Sequence, residues 1–293
     1  MADQKVLGVL FGVSAGAIWA VEAVLGKLLF HSSTFLQVAA TEAFFATVTA
    51  VTYTLVRRIP LNVNRTNIPR LVVIGLVGTV FAPVMYFFGL SQTYAINATL
   101  IAHLQPFFVS LLAFYFLQER LNRRDYLAGL LMIVAAFLIT SRTPDNLANF
   151  SLGNVGDLTV LVATVSWALV AIPGKRLTAD ASSVVIVSYR FLIASLVFLP
   201  MLLGFNQFVV HSLYQVLLGV LVGLGYIFYY EGLKRMKASH VALTELSAPF
   251  FTAVLAWHVL GEAVTPLQMV GALLLLAGLY LLSHERSVPP SSR

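Results

Sequence analysis

The sequence predicts an all-α integral membrane protein of ten transmembrane helices, arranged as two inverted five-helix repeats. Three observations predict it. First, the 293-residue chain is 59% hydrophobic and only 10% charged, with a mean hydropathy of +0.89, whereas a soluble domain carries about 25% charged residues. Second, the apolar residues gather in runs of about 18–25, as a hydrocarbon core of about 30 Å requires. Third, the second half of the chain repeats the first. Residues 86–119 align with 229–262 at an offset of 143, and twelve of those 34 positions are identical, among them Tyr86/Tyr229, Gly89/Gly232, Pro106/Pro249 and Glu119/Glu262. At an offset of 148, Trp19/Trp167, Gly26/Gly174 and Lys27/Lys175 also match. Each half holds five apolar spans, so the second copy enters the membrane inverted, an arrangement that places two mirror-related gates around one central site.

The spans run over 6–30, 34–56, 70–90, 95–117, 125–141, 155–174, 183–203, 213–233, 239–260 and 267–283. Strands of a β-barrel would instead show alternating segments of about 10 residues. The first span follows Lys5 and could be mistaken for a signal peptide. No small-x-small site ends it, Glu22 and Lys27 interrupt its end, and its Trp and Gly-Lys pattern recurs in span 6, so it reads as a retained helix. Residues 1–145 form the first repeat and 146–286 the second, joined by a loop over about 142–154; the Pro- and Ser-containing tail 287–293 reads as disordered. Small residues punctuate the spans at Gly12/Gly16, Gly75/Gly78/Ala82, Gly219/Gly223 and Gly271/Gly278, the signature of close helix packing in lipid.

Basic residues fix the orientation. Fifteen of the 18 Lys and Arg fall on one side of the ten-span arrangement, Lys27 and Arg190 fall within spans, and Arg142 stands alone on the other side. This asymmetry predicts both termini in the cytoplasm. It also accounts for the net charge of +6 without nucleic acid as a partner. The basic loop 57–70 could meet anionic lipid, but a topology signal explains it. The chain has no cysteine, which excludes disulfides, thiol catalysis and thiolate metal sites. No other metal spacing is present, and no cofactor is implied. Cysteine-free composition and the lack of an added domain fit a prokaryotic inner membrane.

Ionisable groups inside a bilayer are costly and point to function or pairing. Glu22 lies near mid-depth in span 1, sharing a face with Trp19 and Gly26. Glu42 in span 2 and Arg190 in span 7 occupy matching positions at offset 148. Glu245 lies four residues before Pro249, and His103 is similarly deep in span 4. Glu22 reads as a substrate or proton contact. Glu42 divides evenly between function and pairing. Arg190 and Glu245 read at least equally well as a structural ion pair. His103 reads as packing or as part of a proton relay. Lys27 and Lys175 read as snorkelling residues. Trp19, Tyr86, Tyr226, Tyr229 and Tyr230 are candidate cavity walls able to stack on rings or cradle an ammonium group. Tyr189 and Trp167 also lie within spans, and Phe107/Phe108 and Phe250/Phe251 read as gate packing. Pro106 and Pro249 interrupt spans 4 and 9 at equivalent points and permit bending. Gly12-Val13-Ser14-Ala15-Gly16 matches the serine-hydrolase pattern GxSxG but lies in a predicted helix, so it reads as chance.

Each half ends in a related motif, PFFVSLLAFYFLQERLNRRDYLAGLLMIVAAF in the first and PFFTAVLAWHVLGEAVTPLQMVGALLLLAGL in the second. With ten spans in two inverted repeats, this resembles the drug/metabolite transporter superfamily, in its ten-helix EamA type, over essentially the whole chain. The resemblance implies a cavity lined by spans 1–4 and 6–9, spans 5 and 10 as packing, alternating access, and structural roles for Glu119 and Glu262. Such proteins often carry Arg in span 2, where this chain has Glu42; Glu22 is a further acidic departure. Both tilt the expected substrate toward a zwitterion or cation, or toward proton coupling, and away from anionic sugar phosphates.

The expected function is therefore transport of a small organic metabolite such as an amino acid or amine, with protons as a candidate coupling ion and lipid as the surroundings. A proton-coupled exporter of lipophilic cations is the rival. A membrane-embedded lipid-modifying enzyme would need a nucleophile or a metal cluster facing one leaflet, and a channel would show unsaturable flux; neither is supported by a residue pattern.

Overall fold

The computed structural model describes residues 2–117, 123–149, 153–204, 210–236, 241 and 244–283. Glu119, Lys237, Arg286 and the tail 287–293 lie outside them. The described residues are helical, without strands: α1 Ala2–Leu29, α2 Phe35–Val56, α3 Ile68–Gly75, α4 Ala82–Gln92, α5 Ala95–Ala102, α6 Gln105–Leu117, α7 Arg123–Ser141, α8 Pro144–Ala148, α9 Val155–Asp180, α10 Ser183–Gly204, α11 Leu213–Arg235, α12 Ser247–Leu260 and α13 Pro266–Ser283.

Capping chemistry sets several starts. Thr34 with Gln37, Asn154 with Asp157, and Ser212 with Gln215 form reciprocal capping boxes at α2, α9 and α11, each satisfying two N–H groups that the first turn leaves bare. Thr265 and Gln268 do the same before α13. Gly261, at φ 68°, ends α12 in the left-handed conformation that favours glycine.

Spans 4 and 9 are interrupted near their prolines, as expected, and span 3 carries an irregularity that was not expected. Span 3 is split by a π-helical turn over Leu76–Phe81, between α3 and α4. Span 4 is two helices, α5 and α6, parted at His103 and Leu104. Span 9 carries a turn at Leu246, before α12. The breaks fall just ahead of Pro106 and Pro249, so each proline sits in the first turn of the helix that follows, where its missing N–H and fixed φ are tolerated. The loop between the halves holds the short α8. Prolines at 173 and 200 lie inside α9 and α10, which continue through them.

Six described helical segments are long and apolar enough to cross a membrane: Val6–Leu29, Phe35–Val56, Arg65–Gln92, Val155–Asp180, Ser183–Pro200 and Leu213–Arg235. Four more apolar helices, within Ala95–Val109, Tyr126–Ser141, Ser247–Leu260 and Pro266–Leu281, are shorter. These four coincide with spans 4, 5, 9 and 10. In spans 4 and 9 the breaks before the prolines limit the length.

The helices pack in defined pairs. α1 lies against α11 and α12, α4 against α9, α2 against α10 and α11, and α7 against α13. Small residues permit these approaches. A Cβ on Gly219 would lie 2.5 Å from the Cβ of Phe45 and 2.8 Å from the Glu42 carbonyl. On Gly89 it would lie 2.5 Å from the Gly156 carbonyl, and on Gly278 it would lie 3.1 Å from that of Ala128. Gly12 is pressed against Thr244, and Gly16 against Ser247. These contacts explain the small residues as packing, and the GxSxG stretch lies wholly within α1. Large apolar side chains such as Leu55, Leu213, Phe250 and Leu273 face outward, as a protein surrounded by lipid requires.

Candidate functional site

Between α1, α2, α10, α11 and the π-helical turn lies a polar centre built around Arg190. The guanidinium is 3% exposed, so each of its bonds replaces water it has lost. Its Nε donates to Thr79 Oγ1 at 2.9 Å, Nη1 to the Tyr230 hydroxyl at 3.3 Å, and Nη2 to the Gly78 carbonyl at 3.1 Å. The Tyr226 ring covers it, with Cζ 3.8 Å from the ring centroid, a cation–π contact. Tyr226 and Tyr230, four residues apart on α11, thus present one face to the same cation.

The π-helical turn makes this possible. Widening the helix there shifts the usual pairing of carbonyls with N–H groups. Gly78, within the turn, accepts from Arg190 and also from Trp167 Nε1 at 3.2 Å. Thr79 donates to the Ile74 carbonyl five residues back while accepting from Arg190. Sequence reading placed neither residue at the site. Gly78 belongs to a run of small residues that reads as packing, and Thr79 carries no charge to draw attention.

The acidic groups are less satisfied. Glu42 is 3% exposed, and its Oε2 has no hydrogen-bond partner. Glu22 is half-buried and engages no hydrogen bond or ion pair. The two carboxylates lie within electrostatic reach of each other, and Glu42 within reach of Arg190, yet no ion pair joins them. Glu231, by contrast, forms ion pairs with Lys234 at 3.7 Å and with Arg235. Beside these acids stand aromatic walls. Trp19 packs on Tyr226 with ring centroids 4.7 Å apart, Tyr226 meets Tyr229 at 6.4 Å, and Tyr86 packs on Trp167 at 5.4 Å.

Glu245 is not the partner of Arg190 that the sequence suggested. Its Oε1 accepts from Trp19 Nε1 at 2.9 Å. Arg190 is held by neutral acceptors and an aromatic face because the π-helical turn and α11, not the segment before α12, border it. His103 caps α5; Nδ1 lies 2.7 Å from the Thr99 carbonyl and Nε2 2.9 Å from the Glu245 carbonyl. Trp19, Glu245 and His103 therefore form one chain of contacts linking α1 to both broken spans, with Pro106 and Pro249 just beyond.

Other expected residues lie elsewhere. Lys175 does not snorkel. Its ammonium donates to the carbonyls of Leu233 and Met236 at the end of α11, where bare acceptors and the helix dipole favour a cation. Tyr189 donates to the Leu61 carbonyl at 2.9 Å, in the loop after α2. Phe250 is 67% exposed and lines an apolar groove of about 360 Å³ with Val254 and Trp257, apart from the polar centre. Phe107 packs toward Gly129 of α7. Glu262 accepts from the Ala95 and Ile96 N–H groups at 2.9 and 3.2 Å, capping α5 from the far end of the chain. Asp157 receives Thr93 at 2.5 Å and Asn97 at 3.3 Å, and Asn97 in turn binds Gln268. No group of three candidate ligands is placed to hold a metal among the described residues.

Comparison with known proteins places this arrangement. The family model described as the EamA-like transporter family matches residues 6–141 and again 154–284. The pseudopaline exporter CntI of Pseudomonas aeruginosa is 29% identical over 286 residues, covering 95% of this chain and 96% of its own. The uncharacterized transporter YyaM of Bacillus subtilis is 25% identical over 236 residues, covering 77% and 76%. The riboflavin transporter ImpX of Fusobacterium nucleatum is 26% identical over 200 residues, covering 63% and 65%. A solved crystal structure superposes with a TM-score of 0.67 at 19% identity, covering 94% of each chain, a likeness of fold. With the helical architecture, the match over both halves makes the chain a membrane transporter rather than an enzyme, and it belongs to the EamA-like transporter family.

Proposed function

We propose that the protein is a secondary transporter that carries a small amine-bearing metabolite across the prokaryotic inner membrane by alternating access. The observation that carries this reading is the pair of carboxylates without protein partners. Glu42 Oε2 is buried and unpaired, and Glu22 is bare beside the Trp19–Tyr226 wall. A buried carboxylate without a partner is costly, so a cationic group arriving from solution has a site prepared for it. Arg190, by contrast, already binds three acceptors and one ring, which leaves it a support for the aromatic wall rather than an anion anchor. The relative named as a pseudopaline exporter supports an organic metabolite as cargo. Trp19, Tyr226 and Tyr229 serve as walls for this cargo, with Tyr86 and Tyr230 behind them.

Ten spans in two inverted repeats supply the moving parts, with both termini cytoplasmic. The helix pairs support this. Exchanging the halves by their sequence offsets turns the α1–α11 pair into α9–α4 and returns the α2–α10 and α7–α13 pairs to themselves. Thr47 and Ser195, equivalent at offset 148, touch through their hydroxyls at 2.9 Å, as residues on a two-fold axis do. The boundaries of the repeats are 1–145 and 146–286.

The test is ligand-induced thermal stabilisation of the purified protein with amino acids, polyamines, choline-like cations and purines. A ligand at about 100 times its Kd adds about 2.7 kcal/mol. Stabilisation by an amine that disappears in Glu22→Gln is the expected result. An amine-free ligand that stabilises both proteins equally would overturn the amine reading.

A further inference from the structure

We infer that His103 is a proton-operated clasp that joins the two proline-broken spans, so that the transport cycle proposed above, on which this rests, is coupled to a proton at this residue. Both ring nitrogens of His103 lie at hydrogen-bond distance from carbonyl oxygens, 2.7 Å to Thr99 and 2.9 Å to Glu245. A carbonyl oxygen only accepts, and a neutral imidazole has one N–H. Both contacts are bonds only in the imidazolium; in the neutral ring one nitrogen turns a lone pair toward a carbonyl.

The acceptors explain why the clasp lies here. Residue 249 is proline, so no N–H at that position reaches back to the Glu245 carbonyl, which is left open within its own helix. His103 Nε2 fills it from the other broken span. The Thr99 carbonyl lies one turn back on α5, where the backbone N–H of His103 also reaches it at 3.2 Å. The protonated ring thus ties the end of α5 to the break before α12. These are the two places where the halves can bend against each other.

The charged and titratable neighbours are few. The Glu245 carboxylate is turned to Trp19, and α1 contributes Glu22 and Lys27. Of the other helices packed on α5, α4 brings Tyr86, while α9 brings Asp157, already bound to Thr93 and Asn97, with Lys175, Arg176 and Asp180 toward its other end. α7 brings Arg123, Arg124, Asp125 and Tyr126, all in its first turn, and α12 brings His258 near its end; at the start of α5, Glu262 holds the Ala95 and Ile96 N–H groups and Arg142 covers the Tyr94 ring. On the α11 side stands Tyr229. When the mouth beside the clasp admits water, one ring N–H bond breaks, its electron pair stays on nitrogen, and the proton passes to water. One tie opens and the two breaks can move apart. The clasp is closed on the acidic side of the imidazole titration and open on the alkaline side.

The experiment has two arms. In the first, nitrogen-15-labelled histidine is followed by NMR in the protein in lipid nanodiscs, with the His103 signals assigned by their absence in His103→Gln. Two protonated ring nitrogens at mildly acidic pH and one at alkaline pH are expected. Pro249→Ala returns an N–H that competes for the Glu245 carbonyl, so this variant, whose His103 remains, is expected to lose the doubly protonated form at a lower pH. A single protonated nitrogen at every pH overturns the inference, as does a Pro249→Ala titration identical to the parent's. In the second arm, proteoliposomes exchange radiolabelled putrescine at equal pH and accumulate it under a pH gradient. His103→Gln is expected to keep exchange and lose gradient-driven accumulation by about tenfold or more, the worth of one hydrogen bond to a charged group. Accumulation unchanged in His103→Gln overturns the coupling. Failure of the parent protein to exchange putrescine would count against the amine reading and leave the nitrogen signals to decide the clasp.

Discussion

Two tryptophans at equivalent points of the two halves, Trp19 in α1 and Trp167 in α9, stand in contrasting surroundings. Each donates its indole N–H across a helix interface. Trp167 gives it to a backbone carbonyl, that of Gly78 in the π-helical turn. Trp19 gives it to a side-chain carboxylate, that of Glu245. The same divergence appears one helix on, where Glu42 and Arg190 hold equivalent positions with opposite charges. One has an unpaired oxygen, and the other has three bonds and a covering ring. The duplicated sequence builds a matched scaffold, while the chemistry gathers where the copies disagree. The second half contributes a fixed cation and a tyrosine cluster; the first contributes acids with capacity to spare.

The contrast between the halves has its largest energetic consequence at Arg190. Arg190→Met leaves the Gly78 and Thr79 acceptors short of a donor in a buried site. A destabilisation of about 1–3 kcal/mol for each buried acceptor left unsatisfied is expected from chemical or thermal unfolding in detergent. Exchanging the charges in Glu42→Arg with Arg190→Glu should not restore the loss, because only the π-helical turn beside α10 supplies the Gly78 and Thr79 oxygens. Recovery of stability in the double variant would show that the two positions are interchangeable after all.

Thr79→Val sharpens the role of the turn. It removes one acceptor from a charged donor, and a loss of about 1.5–3 kcal/mol is expected from the same unfolding measurement. The tryptophans can then be compared directly. Trp19→Phe removes a bond to a carboxylate, worth about 1.5–3 kcal/mol, and Trp167→Phe a bond to a neutral carbonyl, worth about 0.5–1.5 kcal/mol. Equal losses would count against the contrast between the halves. The smallest difference is expected at the lysines. Lys175→Met should cost about 0.3–1 kcal/mol, the value of a cation at a helix C-terminus. Lys27→Met, which removes no hydrogen bond or ion pair, should move the melting temperature less.

The sequence showed the helices wherever a long apolar run was the signal, and the prolines marked spans 4 and 9 as interrupted. It also singled out the polar residues that the fold brings together, since Glu22, Glu42, Arg190, Trp19 and Tyr226 stand out against an apolar background. Pairing was not legible. Arg190 and Glu245 looked like partners by depth and charge, but depth says nothing about which face of a helix meets which neighbour. The π-helical turn was hidden for a different reason. Its residues, Leu76–Phe81, are as apolar as the rest of the span, and one extra residue in a turn leaves hydropathy unchanged. Lys175 was misread because the acceptors it finds are backbone carbonyls, which every sequence has and none displays.

The cap that Glu262 places on α5 carries a consequence for biosynthesis. The Ala95 and Ile96 N–H groups bind a carboxylate encoded 166 or more residues later. A ribosome that has just released the first half into the membrane leaves those two donors without the partner they have in the finished protein. The fourth span reaches its final form only after almost the whole chain has been made, and a chain truncated before residue 262 keeps the sequence of α5 while lacking the group that secures its start.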